Sequence, residues 1–243
     1  MEKYRDIHIM PLSNDESLVI ACDTSASIGQ KEADVLSVSP QITAAFAVRV
    51  VLMEVLSVNA QPQLLINMFG NEMNPTGDLM LDGIKKELAL AGLFDLAMNG
   101  STEENMPTKM TSLGLTLLAK AKIADLKIKK VQPGDQVYQI GKPLMGQDLI
   151  DQVDQIVSYQ ELYHLLNLKD VIHEIVPIGS QGAIAEAQQV AKFNQLDFRL
   201  GQDSPQFYQS AGPATSLLIV IKPAFKANLL TIFKDIKWVG ELY

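Results

Sequence analysis

Four stretches of this sequence combine the residue types that phosphate and metal chemistry requires. The first is Ile20-Ala21-Cys22-Asp23-Thr24-Ser25. An aspartate leaving a hydrophobic strand is held at a defined sheet edge, where its carboxylate can meet Mg²⁺, an ion that prefers hard oxygen ligands. The same residue type also caps turns. Just downstream, Gly29-Gln30-Lys31-Glu32-Ala33-Asp34 sets one cation and two carboxylates in a short polar segment, a phosphate lid or a plain loop. The second stretch, Asn71-Glu72-Met73-Asn74-Pro75-Thr76-Gly77, lies between a strand and a helix. Asn71 and Glu72 could complete a metal or nucleotide site there, and Thr76 could cap the helix. The third, Asn99-Gly100-Ser101-Thr102-Glu103-Glu104-Asn105-Met106-Pro107-Thr108, is a polar run between apolar elements. It reads as a loop, either solvated or supplying oxygen ligands for Mg²⁺ and donors for phosphate oxygens. The fourth, Ile175-Val176-Pro177-Ile178-Gly179-Ser180-Gln181-Gly182, is a strand, a glycine-rich turn and a helix start. Its backbone can approach a ligand closely and its helix N–H groups suit an anion. The spacing matches neither a P-loop nor a dinucleotide fingerprint. Gln209-Ser210-Ala211-Gly212-Pro213-Ala214-Thr215 is a second small-residue turn that could face the same cleft.

The elements that must position these residues alternate along the chain. Residues 17–22 read as a strand, short and rich in Val, Ile and Leu. Pro40 opens a helix over 41–58 with apolar residues at helical spacing. A buried strand is expected over 63–69, an amphipathic helix over 77–92 ending at a glycine, and a strand over 111–119. Five lysines between 120 and 130 read as a solvated face. They lead into the turn Pro133-Gly134-Asp135 and a strand over 137–141. Residues 148–158 read as a loop, 159–166 as a helix, 171–177 as a strand and 182–196 as a helix. A strand over 217–221 and a last helix over 225–234 complete the pattern. This order predicts an α+β protein with α/β-like alternation in two lobes, residues 1–122 and 123–243.

Composition narrows the classes. The 243 residues are 47% hydrophobic and 20% charged, enough for a sizeable core. A net charge of −8 argues against nucleic acid as a partner. The single cysteine, Cys22, excludes an internal disulfide framework and is expected in the core. The three histidines, His8, His164 and His173, have no partner at metal-ligand spacing and are expected at the surface or satisfied. The polar N-terminus has no signal-peptide pattern, and no apolar run approaches a membrane span, so a soluble cytoplasmic protein is expected.

Taken together, the stretches resemble the superfamily of aminoimidazole ribonucleotide synthase, thiamine-monophosphate kinase and selenophosphate synthetase. The strand ending in Asp23 comes first. A small-residue helix running into Ser57-Val58-Asn59-Ala60-Gln61-Pro62 follows, then the Gly100–Pro107 segment, the Pro133-Gly134-Asp135 turn and the C-terminal strand–glycine–helix unit. Within it, Gly100-Ser101-Thr102-Glu103-Glu104-Asn105, Ile140-Gly141-Lys142-Pro143 and Val176-Pro177-Ile178-Gly179-Ser180 look closest to the alpha-ribazole kinases. The resemblance implies an N-terminal lobe whose sheet pairs across a homodimer into a barrel, and a C-terminal α+β lobe. It implies ATP and Mg²⁺ as cofactors and a small-molecule acceptor. Asp23, Glu72 and Glu103 look like metal ligands. Asn71, Ser101, Thr102, Glu104 and Asn105 look like further nucleotide-site residues, and Lys31 could reach phosphates and, with Asp23, is a candidate catalytic residue. Gly179, Ser180, Gly182 and Ser210 look like the substrate side. The implied activity is an ATP-dependent kinase acting on a nucleoside-like alcohol such as alpha-ribazole. A thiamine-phosphate kinase, a cyclo-ligase and a catalytically silent nucleotide-binding dimer are the alternatives. Asn59 departs from the family, standing where members usually carry glycine.

Overall fold

The computed structural model describes residues 2–226, 229, 233 and 236–243. The chain divides into two compact units, one comprising residues up to Leu56 with Ala60–Ala124, the other Ser57–Asn59 with Asp125–Tyr243.

The first unit contains β1 (Glu2–Tyr4), β2 (Ile7–Pro11), β3 (Glu16–Ala26), the short pair β4 (Ile28–Gly29) and β5 (Leu36–Ser37), and α1 (Pro40–Ser57). Then follow β6 (Gln61–Phe69), a π-turn (Met73–Gly77), α2 (Asp78–Leu90), β7 (Ala97–Thr102) and β8 (Ser112–Lys122). Its main sheet runs β1-β2-β3-β8-β6-β7, antiparallel except for the parallel pair β6–β7. Strict alternation divides the two faces of this sheet. Ile7, Ile9, Val19, Ala21, Leu65, Leu113, Leu115, Leu117 and Ala119 point inward and are buried. Met10, Leu18, Ile20, Leu64, Ile66 and Leu118 point the other way and stay partly exposed.

Helix α1 is apolar nearly all round, the pattern of a helix enclosed by its own protein. Its 18 residues have a mean hydropathy of 1.4 and are 72% buried, so a helix long enough to cross a membrane serves here as a core helix. It meets α2 at Gly83, where a Cβ would run into the main chain of Gln41. Asn59, just beyond α1, has φ +63° and donates from Nδ2 to the Asp125 carbonyl at 3.1 Å. This left-handed backbone is one that glycine adopts freely, and asparagine is the side chain that best tolerates it.

The second unit holds β9 (Gln136–Ile140), α3 (Gly146–Asp151), α4 (Tyr159–Asn167), β10 (Ile172–Pro177), α5 (Gly182–Phe193), β11 (Phe198–Leu200), β12 (Leu217–Ile221) and β13 (Ile236–Leu242). The sheet order is β10-β12-β9-β13-β11, all antiparallel. Helix α5 lays Ala183, Ala187, Val190 and Ala191 against Val137, Val176, Leu218 and Val220 of one sheet face. Ser158 and Glu161 close a capping box at the start of α4.

Several expectations are corrected. Residues 97–102 form a strand, not a loop, because β7 pairs in parallel with β6 through Asn67↔Gly100 and Phe69↔Thr102. Residues 148–158 include the end of α3 and a 3₁₀ turn, Val153–Gln155. Cys22 is exposed, since it falls on the outward parity of β3 beside Thr116, with its Sγ 3.3 Å from that hydroxyl. Lys127 is not part of a solvated face. It is 5% exposed and donates to the Ile172 carbonyl at 2.8 Å. Burial, with Lys130 and Lys169 nearby, pushes its amine down to about 8. The helix expected over 225–234 falls largely on residues outside those described, although Phe225 itself closes a 3₁₀ turn, Pro223–Phe225.

Candidate functional site

In the first unit, the 29–34 segment and the second and third polar stretches converge at one end of the main sheet. Asp34 holds the 29–34 loop. Its carboxylate accepts the Thr111 N–H at 2.8 Å, the Thr111 hydroxyl at 2.6 Å and the Lys31 N–H at 2.8 Å. Burial alone would raise this carboxyl, but these hydrogen bonds outweigh it and hold it below its ordinary value. The loop is therefore pinned to β8, and Lys31 reaches Glu72 with Nζ 2.7 Å from Oε2. Glu72 also accepts from the Thr76 hydroxyl, and these partners outweigh its desolvation and lower its pKa.

Asn71 is fully buried and its amide is spent within the protein. Nδ2 donates to the Thr108 hydroxyl at 2.8 Å and the Met110 carbonyl at 2.9 Å, and Oδ1 accepts from the Ser112 N–H at 2.9 Å. Its carbonyl accepts the Glu103 N–H at 3.0 Å. Glu103 Oε1 accepts the N–H groups of Asn105 and Met106 at 2.8 and 3.1 Å. Glu104 Oε1 accepts the Met73 N–H and the Thr102 hydroxyl, both at 2.8 Å. Lys31, Asn71, Glu72, Thr102, Glu103 and Glu104 are thus brought together, and Asn71 serves as their internal anchor.

Asp23 stands apart from this network. Its row across the sheet is Asp23↔Leu115↔Asn67↔Gly100, which puts it about 10 Å, two strand spacings, from Asn67. It occupies the inward parity of β3 where the apolar residues of that face end, and there it is half-buried. Desolvation raises its carboxyl to about 6, against the lowering effect of the Thr24 N–H. Among the described residues no three His, Cys, Asp or Glu side chains gather into a group that could hold a metal ion. Asp23, Glu72 and Glu103 accordingly do not form one coordination sphere.

Beside the network lies a pocket of about 320 Å³. Asn67, Asn99, Gly100, Ser101 and Thr102 line it from β6 and β7, with Met73, Leu81 and Met98 supplying its apolar surface. Gly100 is required there, because a Cβ would collide with the main-chain and side-chain oxygens of Asn67. Neither Asn67 nor the methionines stood out in the sequence. The available signal was parity, since Asn67 is a polar residue at an inward position of an apolar strand.

In the second unit, the Gly179–Gly182 and Ser210–Gly212 turns do meet, through the Ala211 N–H and the Gly179 carbonyl at 3.1 Å. Ser210 folds back, its Oγ accepting the Gly212 N–H at 3.2 Å. Gly182 has φ +84° and packs against the main chain of Phe207 and Tyr208. Glu186, buried on α5, accepts the Gly179 N–H at 3.2 Å, so a carboxylate already sits at this turn. His173 Nδ1 lies 2.5 Å from Asp135 Oδ2, and this histidine is satisfied.

No family model matches the chain, and no curated protein matches it. Solved structures do. A thiamine-monophosphate kinase from Stenotrophomonas maltophilia K279a is 16% identical with a TM-score of 0.65, over 99% of this chain and 89% of that one. AaThiL complexed with AMPPCP and TMP is 12% identical with a TM-score of 0.66, over 98% and 84%. T. maritima PurL complexed with ATP is 14% identical with a TM-score of 0.65, over 97% of this chain and 42% of PurL. The chain therefore spans about two fifths of the length of PurL. The element order and these superpositions agree, and the chain shares the fold of these thiamine-monophosphate kinase and PurL structures.

Proposed function

We propose that the chain is an ATP-dependent kinase that transfers a phosphoryl group to the hydroxymethyl group of a nucleoside-like alcohol, with alpha-ribazole as the favoured acceptor. The observation that carries this reading is the pocket of about 320 Å³ opening beside a network that contains Lys31, Glu72, Thr102 and Glu104. A cavity of that size suits a small ligand. An adjacent lysine and loop N–H groups suit the charged part of a nucleotide. Neighbours of the same fold carry ATP in PurL and AMPPCP with TMP in AaThiL, which supports a nucleotide for this chain as well.

Phosphoryl transfer depends mainly on position and charge. Lys31 would leave Glu72 for a phosphate oxygen, a charge-assisted exchange of one oxyanion for another. Thr102 would donate its hydroxyl once released by Glu104. Magnesium would supply charge neutralisation on the phosphates. The donor set suits an ion that arrives with the nucleotide, since such ions need only one or two carboxylates. Asp23 offers a desolvated carboxylate that a cation would favour in its ionised form, and Glu72 and Glu103 are the further candidates.

Glu186 at the Gly179 turn favours a neutral acceptor over a phosphorylated one, because a second anion there would meet a buried carboxylate. This supports the alcohol reading over the thiamine-phosphate reading. The chain is further proposed to act as a homodimer through the outer face of the first unit's sheet. Thermal melting with Mg-ATP, with ATP plus EDTA, and with alpha-ribazole added to each tests the reading. A midpoint raised by Mg-ATP and raised again by alpha-ribazole supports it, with phosphorylated alcohol as the product. No shift at millimolar ATP removes it, and ATP binding without turnover on any acceptor leaves a silent nucleotide-binding protein.

A further inference from the structure

We propose that the second unit holds a seat for an uncharged, hydroxyl-bearing group, the sugar of a nucleoside, in which Gln139 of β9 and Ser216 beside β12 take the hydroxyls. The assignment rests on the acceptor reading above and deepens it. Gln139 is 1% exposed and Ser216 is fully buried. Among the described residues, neither Nε2 and Oε1 of Gln139 nor Oγ of Ser216 has a hydrogen-bond partner. A buried polar group without a partner carries a desolvation cost that a bound ligand would relieve. Thr215 is the contrast. It is equally buried, but its hydroxyl accepts the Leu144 N–H at 3.0 Å and donates to the Leu144 carbonyl at 3.3 Å.

Strand register places both groups on one face of the sheet. Gln139 is two residues from Val137 and pairs with Leu218, and Ser216 is two residues before Leu218, so all four share the face that α5 covers. Gln139 and Ser216 are diagonal neighbours, about 7–8 Å apart at that spacing, a gap that a small hydroxyl-bearing group can bridge. Ser216 adjoins the Gly179 turn, since its carbonyl accepts the Ile178 N–H at 3.0 Å. On its other side Gln139 pairs with Lys237, whose Nζ donates to Gln206 Oε1 at 2.7 Å. The 3₁₀ turn Pro205–Tyr208 therefore crosses the Gln139 row, with Phe207 seated in the same core. Residues 202–215 form no strand, and Phe207, Lys237 and the Ala211–Gly179 hydrogen bond hold this cover down. It is the segment that must lift for a ligand to enter. The groups beneath it select an uncharged ligand. A carboxamide both donates and accepts, as does a serine hydroxyl, which matches the hydroxyls of a sugar. Glu186 at the Gly179 turn disfavours an anion, and Lys237 is engaged at the exposed rim.

Equilibrium binding of three probes tests the assignment: alpha-ribazole, the same molecule without its ribose, and D-ribose. Each is measured on the wild-type chain, on Gln139→Leu and on Ser216→Ala, together with the melting midpoint of each protein without ligand. The expected result is that both ribose-bearing probes bind the wild-type chain. Each variant then weakens both of them, Gln139→Leu by about tenfold or more, and leaves the base without ribose unchanged. Gln139→Leu also raises the ligand-free midpoint, because an apolar side chain of similar size replaces an unpaired amide. Should Gln139→Leu fail to fold, Ser216→Ala, which removes one oxygen, carries the test. Alpha-ribazole affinity unchanged in both variants overturns the seat, whichever way their midpoints move. A base that binds as tightly as alpha-ribazole overturns it too. D-ribose binding to a chain that does not bind Mg-ATP keeps the seat and removes the kinase reading. Mg-ATP binding to a chain that takes neither ribose-bearing probe overturns the seat and leaves the nucleotide reading standing.

Discussion

At the residue scale, the most informative position is Asp23, because its environment makes an opposite prediction with and without a ligand. Burial raises its folded-state pKa from 3.8 to about 6. An acid whose folded pKa is raised binds more protons folded than unfolded, so stability falls as pH rises between about 4 and 6. A shift of about two units corresponds to at most about 3 kcal/mol, and partial exposure makes the effect smaller. Asp23→Asn should flatten the urea-denaturation stability profile across that window, and an unchanged slope would remove the desolvated carboxylate. If Asp23 also meets a nucleotide-borne cation, Mg-ATP affinity of the wild-type chain should rise through pH 6 and that of Asp23→Asn should not. Asn59 carries a second prediction. Its φ of +63° makes Asn59→Gly close to neutral, while Asn59→Val should cost at least about 1 kcal/mol by thermal melting, through αL strain. A neutral valine variant would mean that the turn relaxes.

At the element scale, the contact between α1 and α2 tests whether close packing outweighs helix propensity. Gly83 lies in the middle of α2, where alanine would be favoured by about 1 kcal/mol on propensity alone. The Gln41 main chain occupies the space a Cβ would need, so Gly83→Ala should destabilise by about 1–3 kcal/mol in chemical denaturation. A stabilised variant would show that the two helices separate easily. The long elements were legible because α2, α4, α5, β3 and β8 place apolar residues at a clear helical or strand period, while α1 and β12 are continuous apolar runs bounded by turn residues. β7 was not, because Ala97–Thr102 is polar and mostly exposed, and its strand character comes from pairing with β6 rather than from its own residues. The same miss concealed the pocket, which needs β7 as a wall. Within the site, the acidic run and Lys31 were visible by residue type. The roles of Asp34 and Asn71 as anchors were not, because their partners at Thr108, Thr111 and Ser112 are distant in sequence. Cys22 was misplaced for a related reason: an apolar run does not reveal which parity of a strand faces inward.

At the scale of the whole molecule, the first unit's sheet poses a packing question of its own. Antiparallel sheets that expose one face normally alternate apolar-in and polar-out. Here the outer face carries Met10, Leu18, Ile20, Leu64, Ile66, Met68 and Leu118 in adjacent positions of β2, β3, β6 and β8. Met68 is 51% exposed. A continuous apolar face of this kind is a self-association surface or an aggregation liability. A stable pairing needs about 800 Å² from each copy, a scale that a face spanning four strands can supply. The proposed dimer predicts a solution mass twice the 26.7 kDa of the chain by light scattering. Ile20→Lys with Ile66→Lys puts two charges at the centre of the face and should give the single-chain mass with the fold intact by circular dichroism. Cys22 supplies an independent reading, because it is exposed on this same face in the single chain. Its thiol should react slowly with a thiol reagent in the wild-type protein and rapidly in the double variant. A wild-type protein at the single-chain mass with a rapidly reacting Cys22 would sink the dimer while leaving the nucleotide pocket untouched, since Asn67 faces the opposite side of the sheet.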